Sequence, residues 1–149
     1  MNERARHGRL PDWVAYELPL LASMALIWVL SDQPSLPGPG ERGSLIRDIF
    51  NYGSHAFIYG LVALLAWRVL NHRASRWRHL AVCPRLTATL LALGWGLLDE
   101  YHQSFIPGRT ASPWDALTDL VGATLAVWAG PLLLRWLDQR RSSHTPASV

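Results

Sequence analysis

No lysine occurs anywhere in this chain; all fourteen basic residues are arginine, a coding or lineage bias without a mechanism of its own. Cysteine is nearly absent as well. Cys83 stands alone, which excludes an internal disulfide and a cysteine-based zinc site. It precedes Pro84 in an arginine-rich loop and takes no role. Charge is also scarce, at 17% of residues against about a quarter in soluble proteins. The 149 residues suit one domain, and neither an internal repeat nor a second domain is visible.

Apolar side chains fill the space that charge leaves. Half of the residues are hydrophobic, and eight are tryptophan, the residue that anchors helices at membrane interfaces. The basic pI of about 9.6 would suit nucleic acid, but the arginines flank apolar runs, so they report membrane topology instead. Arg4, Arg6 and Arg9 precede the first apolar run as in a signal peptide. Glu17 and Pro19 interrupt its start, however, and no small-x-small site precedes the Pro/Gly segment, so a retained first span is expected.

The pattern predicts an all-α polytopic membrane protein of four transmembrane helices, with a short interfacial helix before the second. The spans fall at 13–30, 53–70, 86–106 and 114–137. Between the first two lies a Pro/Gly loop at 31–43 that cannot be helical, then an amphipathic turn or two at 44–51. Ser112, Pro113 and Asp115 predict the start of the last helix as N-cap, first position and capping-box acid. Eleven arginines sit in the two tails, the middle loop and the span ends beside them, whereas Arg42, Arg47 and Arg109 lie on the other side. The positive-inside rule then places both termini in the cytoplasm and residues 98–113 on the outer side of the cytoplasmic membrane.

That topology gathers polar groups at one level. His55 and Tyr59 sit near the start of span two, Asp99, Glu100, His102 and Gln103 at the end of span three, and Asp115 and Asp119 at the start of span four. Ala88, Ala92, Gly96 and Glu100 recur every four residues, and Asp115, Asp119, Gly122, Ala126 and Gly130 form a comparable stripe. Small stripes mark close helix approach in membranes. If the two stripes face each other, Glu100 and Asp119 point inward, and Arg109 is the one cation near enough to neutralise them. Asp115 is expected to act mainly as a cap. Ionisable residues facing a membrane interior are functional candidates by default.

At these residues the chain resembles the VanZ-like family of small bacterial membrane proteins. The resemblance rests on Asp99-Glu100, His102-Gln103, Pro107-Gly108-Arg109, then Asp115, Asp119 and Gly122, with His55 and Tyr59 as an earlier block and Ser31 and Pro34 in the turn after span one. It covers residues 31–130. Tyr52 stands where the family commonly has lysine, and Asp119 where asparagine is more frequent. The resemblance implies four spans and a cell-envelope role, including low-level resistance to teicoplanin-type antibiotics in the namesake.

Three readings of the site follow. In the leading one, a lipid or lipid-linked envelope precursor is bound at the outer leaflet by His55, Tyr59, Asp99, Glu100, His102, Gln103, Arg109, Asp115 and Asp119, with Arg109 taking an anionic head by bidentate bonds. The second is an intramembrane hydrolase or transferase acting on envelope lipids, with Glu100 and His102 as the candidate catalytic acid and base. The third is proton-coupled transport through Glu100 and Asp119, which four spans support only in a homo-oligomer. No cofactor and no nucleic-acid partner is expected. A metal variant would draw on His55, His102 and a carboxylate, but the HxxEH and HExxH spacings are absent and no metal is assigned.

Overall fold

A computed structural model describes residues 10–41, 43–74, 76, 83–109 and 112–143. Arg4, Arg6, Arg9, Arg42 and Arg78 lie outside the described residues, as do the side chains of Arg140 and Arg141. Within them the regular structure is entirely helical: α1 (Asp12–Ala15), α2 (Glu17–Ser31), α3 (Leu45–His72), α4 (Pro84–Gln103) and α5 (Pro113–Ser143).

The boundaries depart from the expected spans in ways that proline and glycine explain. The first run breaks at Tyr16 (φ −116°, ψ −56°) into α1 and α2. Pro19 has no N–H to give the carbonyl of Ala15, and its ring crowds that oxygen. At ~1.5 Å per residue, α2 alone rises only ~22 Å. The segment at 44–51 is not a separate interfacial helix. It forms the first turns of α3, which runs unbroken for 28 residues from an N-cap where Ser44 Oγ accepts the Arg47 amide at 3.3 Å. Gly53, just past that segment, lies in open space, so no packing demand bends the helix there. α4 stops at Gln103 rather than 106, because Pro107 disfavours helical geometry at Ile106. Gly108 then turns the chain with φ +86°. Leu45–His72 and Pro113–Leu133 are long and apolar enough to cross a bilayer.

Contacts fix the helix directions. At one end of the bundle Arg73 Nε donates to Glu17 Oε1 at 2.6 Å, and Tyr16 stacks on His72 with ring centroids 3.7 Å apart. The start of α2 therefore meets the end of α3, and the two run antiparallel. The bond to Glu17 also raises the Arg73 guanidinium above its usual pKa. α3 and α5 run parallel in a constant register. A Cβ at Gly122 would run into the backbone of Ala56, one at Gly60 would lie 3.3 Å from Ala126, and one at Gly130 3.8 Å from Leu64. α4 packs antiparallel to both, its Ala88, Ala92 and Gly96 buried. At its start Arg85 lies over the rings of Trp67 and Trp128, at 5.9 and 5.2 Å.

The small-residue stripes are thus used, and the α5 stripe faces the α4 stripe at its start, where Asp119 meets the position of Gly96. From Gly122 onward it lies along Ala56, Gly60 and Leu64 of α3. The buried core is dominated by alanine, with Ala63, Ala88, Ala92 and Ala123 inaccessible, while Leu21, Phe57, Leu90, Leu125 and Leu132 face outward. Burying such a side chain is worth about 1.5–3 kcal/mol, so a surface of this kind requires an apolar surrounding.

Gly122→Ala is expected to cost about 1–3 kcal/mol, because the added methyl meets backbone that cannot rotate away. Gly94→Ala, in open space on α4, should be neutral or stabilising by up to about 1 kcal/mol. Unfolding midpoints of the two variants in detergent, compared with the native chain, check both signs.

Candidate functional site

The ends of α2 and α4 and the starts of α3 and α5 meet away from the Glu17–Arg73 pair, and four acidic or amide side chains are buried there. Asp119 is 1% exposed, Asp99 2%, Gln103 4% and Glu100 8%. A polar group withdrawn from water must find partners or cost several kcal/mol. Asp99 Oδ2 finds two, accepting from Tyr59 Oη of α3 at 3.1 Å and Gln103 Nε2 one turn along α4 at 2.8 Å. Gln103 Nε2 also donates to Ser31 Oγ at the end of α2, at 3.2 Å. His55 Nδ1 and Asp119 Oδ1 lie 3.0 Å apart and tie α3 to α5. Gly96 makes room for this pair, since a Cβ there would come within 2.7 Å of Asp119 Oδ2 and 3.3 Å of Tyr59.

Glu100 is used in a way its spacing does not reveal. Its Oε2 accepts the backbone amide of Ser112 at 2.8 Å. In a capping box that amide would be taken by the acid at the third helical position, Asp115. Ser112 does act as N-cap, its Oγ accepting the Trp114 amide at 3.2 Å. With Glu100 occupying the Ser112 amide, Asp115 is released from capping and lines the cavity described below. A ring nitrogen of His55 and one carboxylate oxygen each from Glu100 and Asp115 fall within 4.8 Å of one another. Among the described residues, Asp99 Oδ1, Glu100 Oε1 and Asp119 Oδ2 are buried without a hydrogen-bond partner.

One expected member, His102, stands elsewhere, and another, Arg109, borders the site in a different role. His102 points away from the carboxylates toward α2, where it stacks on Trp28 with centroids 4.2 Å apart and lies 3.5 Å from Asp32 Oδ1. Arg109 is not the counter-ion of Glu100. Its Nε donates to Gln33 O at 3.0 Å and its Nη2 to Leu30 O at 3.2 Å, an oxygen that also accepts the Gln33 amide, so it ties down the C-terminal end of α2. None of its described bonds goes to a carboxylate. Arg47 behaves alike, donating from Nη2 to Leu36 O at 2.6 Å. It belongs to the site without having been expected there. Its position in an amphipathic turn reads as surface, and the loop that folds back over it leaves no local sequence signal.

Beside these groups lies a cavity of about 700 Å³, which Glu100, His102 and Asp119 do not line. Ile27, Leu30, Leu36, Phe50 and Ile58 give it apolar walls, while Arg47, Asp48, His55, Tyr59, Asp99, Gln103, Arg109 and Asp115 add polar ones. The volume is that of a typical small-ligand pocket, and the mixture suits a ligand with a polar head and an apolar portion.

The sequence matches the VanZ/LLP1 family over residues 16–134, and the chain belongs to that family. No curated protein and no solved structure matches it. Family membership and the two long apolar helices together point to a membrane protein.

Glu100→Gln keeps an oxygen for the Ser112 amide and removes a buried charge, so this variant should be at least as stable as the native chain. Glu100→Ala strands the amide and should cost about 1–3 kcal/mol. Unfolding free energies in mixed micelles give the order, and an Ala variant more stable than the Gln variant would refute the assignment.

Proposed function

We propose that this VanZ/LLP1-family protein binds a lipid or lipid-linked cell-envelope component, with the polar head in the 700 Å³ cavity and the apolar portion against its hydrophobic wall. The cavity carries this reading. It joins leucine and isoleucine walls to two guanidinium groups and a fixed polar floor, and it opens where the ends of α2 and α4 and the starts of α3 and α5 meet. Arg47 and Arg109 spend only part of their donors on backbone carbonyls, and a guanidinium has five N–H groups in all. The remainder suit phosphate or carboxylate oxygens. In the proposed topology α2 to α5 are four spans, both termini are cytoplasmic, and the cavity lies at the outer leaflet. By sequence, eleven of the fourteen arginines fall in the two tails, the middle loop and the span ends beside them, and that asymmetry supports the orientation. Resistance to teicoplanin-type antibiotics would follow if the bound component is one that such antibiotics engage.

A second reading, hydrolysis or transfer on the same lipid, draws on one observation. His55 is oriented by Asp119 and has Glu100 and Asp115 beside it, an arrangement fit to move a proton. In this reading Glu100 acts as the acid or base beside His55, and His102, stacked on Trp28, takes no part.

Lipid mass spectrometry of gently purified protein tests the binding reading. A specific lipid should co-purify with the native chain and be lost from Ile58→Trp, which fills the cavity. Phe57→Trp, on the exposed face of the same helix, should retain it. Equal lipid content in both variants would refute the cavity as the binding site, and conversion of the lipid on incubation would establish the enzymatic reading.

A further inference from the structure

We propose that His55, Glu100 and Asp115 form a binding site for a first-row divalent cation such as Zn²⁺ or Mn²⁺, with Asp119 as the residue that positions the imidazole. The site goes beyond the lipid-binding reading and does not depend on it. Six carboxylates share this end of the bundle (Asp32, Asp48, Asp99, Glu100, Asp115 and Asp119), and the hydrogen bonds described for Arg47 and Arg109 go to backbone carbonyls instead. Negative charge therefore concentrates in a place of low dielectric, where an uncompensated carboxylate costs several kcal/mol. A bound cation offsets that cost directly.

The geometry is specific. One donor comes from each of α3, α4 and α5, and the three atoms lie within 4.8 Å of one another. Oxygen and nitrogen ligands about 2.0–2.2 Å from zinc sit ~3.5 Å apart in a tetrahedral shell, so small side-chain rotations close the set. Glu100 is 8% exposed, and its Oε1 has no hydrogen-bond partner among the described residues while Oε2 is fixed by the Ser112 amide. That leaves an oriented, buried oxygen available to a cation.

The His55–Asp119 pair supplies the second independent element. A carboxylate on one ring nitrogen fixes the tautomer of a metal-binding histidine and makes the other nitrogen more basic. Asp119 holds Nδ1 at 3.0 Å, which leaves Nε2 to coordinate. One imidazole and two carboxylates suit borderline and hard divalent ions rather than soft monovalent copper. Three protein ligands also leave a coordination position open, and His55 and Asp115 both border the cavity.

The test uses the full chain in detergent, stripped with a chelator and then titrated separately with ZnCl₂ and MnCl₂. Equilibrium dialysis with elemental analysis should show one equivalent of at least one of these ions per chain, with a rise in thermal midpoint on binding. His55→Gln and Asp115→Asn should lose stoichiometric binding. Glu100→Gln, which keeps the Ser112 bond, should weaken it at least tenfold. Asp119→Asn retains an acceptor for His55, so its metal-free midpoint should match the native one while affinity falls about 10–100-fold. His102→Gln should bind as the native chain does. A folded native chain that takes up neither ion overturns the proposal. So does binding that survives Asp115→Asn and Glu100→Gln together, or that is lost in His102→Gln.

Discussion

The buried carboxylate of Asp99 is the constraint on which this end of the molecule depends. It is 2% exposed and holds Tyr59 of α3 and Gln103 of α4 on one oxygen, and Gln103 carries the connection on to Ser31 of α2. A carboxylate taken out of water stabilises whatever geometry brings donors to it, since the alternative is an unpaired charge. Three helix ends are thereby held in one arrangement, and the His55–Asp119 pair adds the fourth. The cavity beside them is bounded by groups already fixed in place, which lowers the cost of ordering a ligand there.

The rest of the bundle is arranged so that such a layer can exist. Helices that meet through alanine and glycine approach closely enough for short side chains such as Asp and Ser to reach across. Gly96 admits Asp119 and Tyr59, while Gly122 lets α5 close on Ala56. Large apolar side chains would fill these contacts and drive the polar groups apart, and they are placed on the outward faces instead. The far end is held by different means, through the Glu17–Arg73 pair and arginines lying over Tyr16, Trp67 and Trp128. Those contacts resemble a headgroup boundary more than a ligand site.

Much of this was legible in the sequence, and what was not has physical causes. Four-residue spacing placed Ala88, Ala92, Gly96 and Glu100 on a buried face of α4, and alternation of apolar runs brought His55 to the level of Asp119 across 64 residues. Family membership, too, was readable from a few residues near Asp99 and Arg109. Periodicity fixes which face of a helix is small but not which neighbour it meets, so the packing of the α5 stripe on α3 beyond Gly122 could not be read from spacing. The roles of Arg109 and Arg47 depend on backbone carbonyls at Leu30, Gln33 and Leu36, and carbonyls leave no trace in residue identity. For the same reason the Ser112 amide hid the release of Asp115. The break at Tyr16, by contrast, follows from Pro19 and was available from the start.

A double-mutant cycle on Tyr59 and Asp99 tests most directly whether this polar layer organises the helix ends. Tyr59→Phe, Asp99→Asn and the double variant would be unfolded in mixed micelles and their free energies compared with the native chain. The account requires a coupling of at least about 1 kcal/mol between the two sites, as for contacting members of one network. Additive effects, within about 0.5 kcal/mol, would mean that the Asp99 carboxylate does not hold α3 to α4, and would contradict the account at its centre.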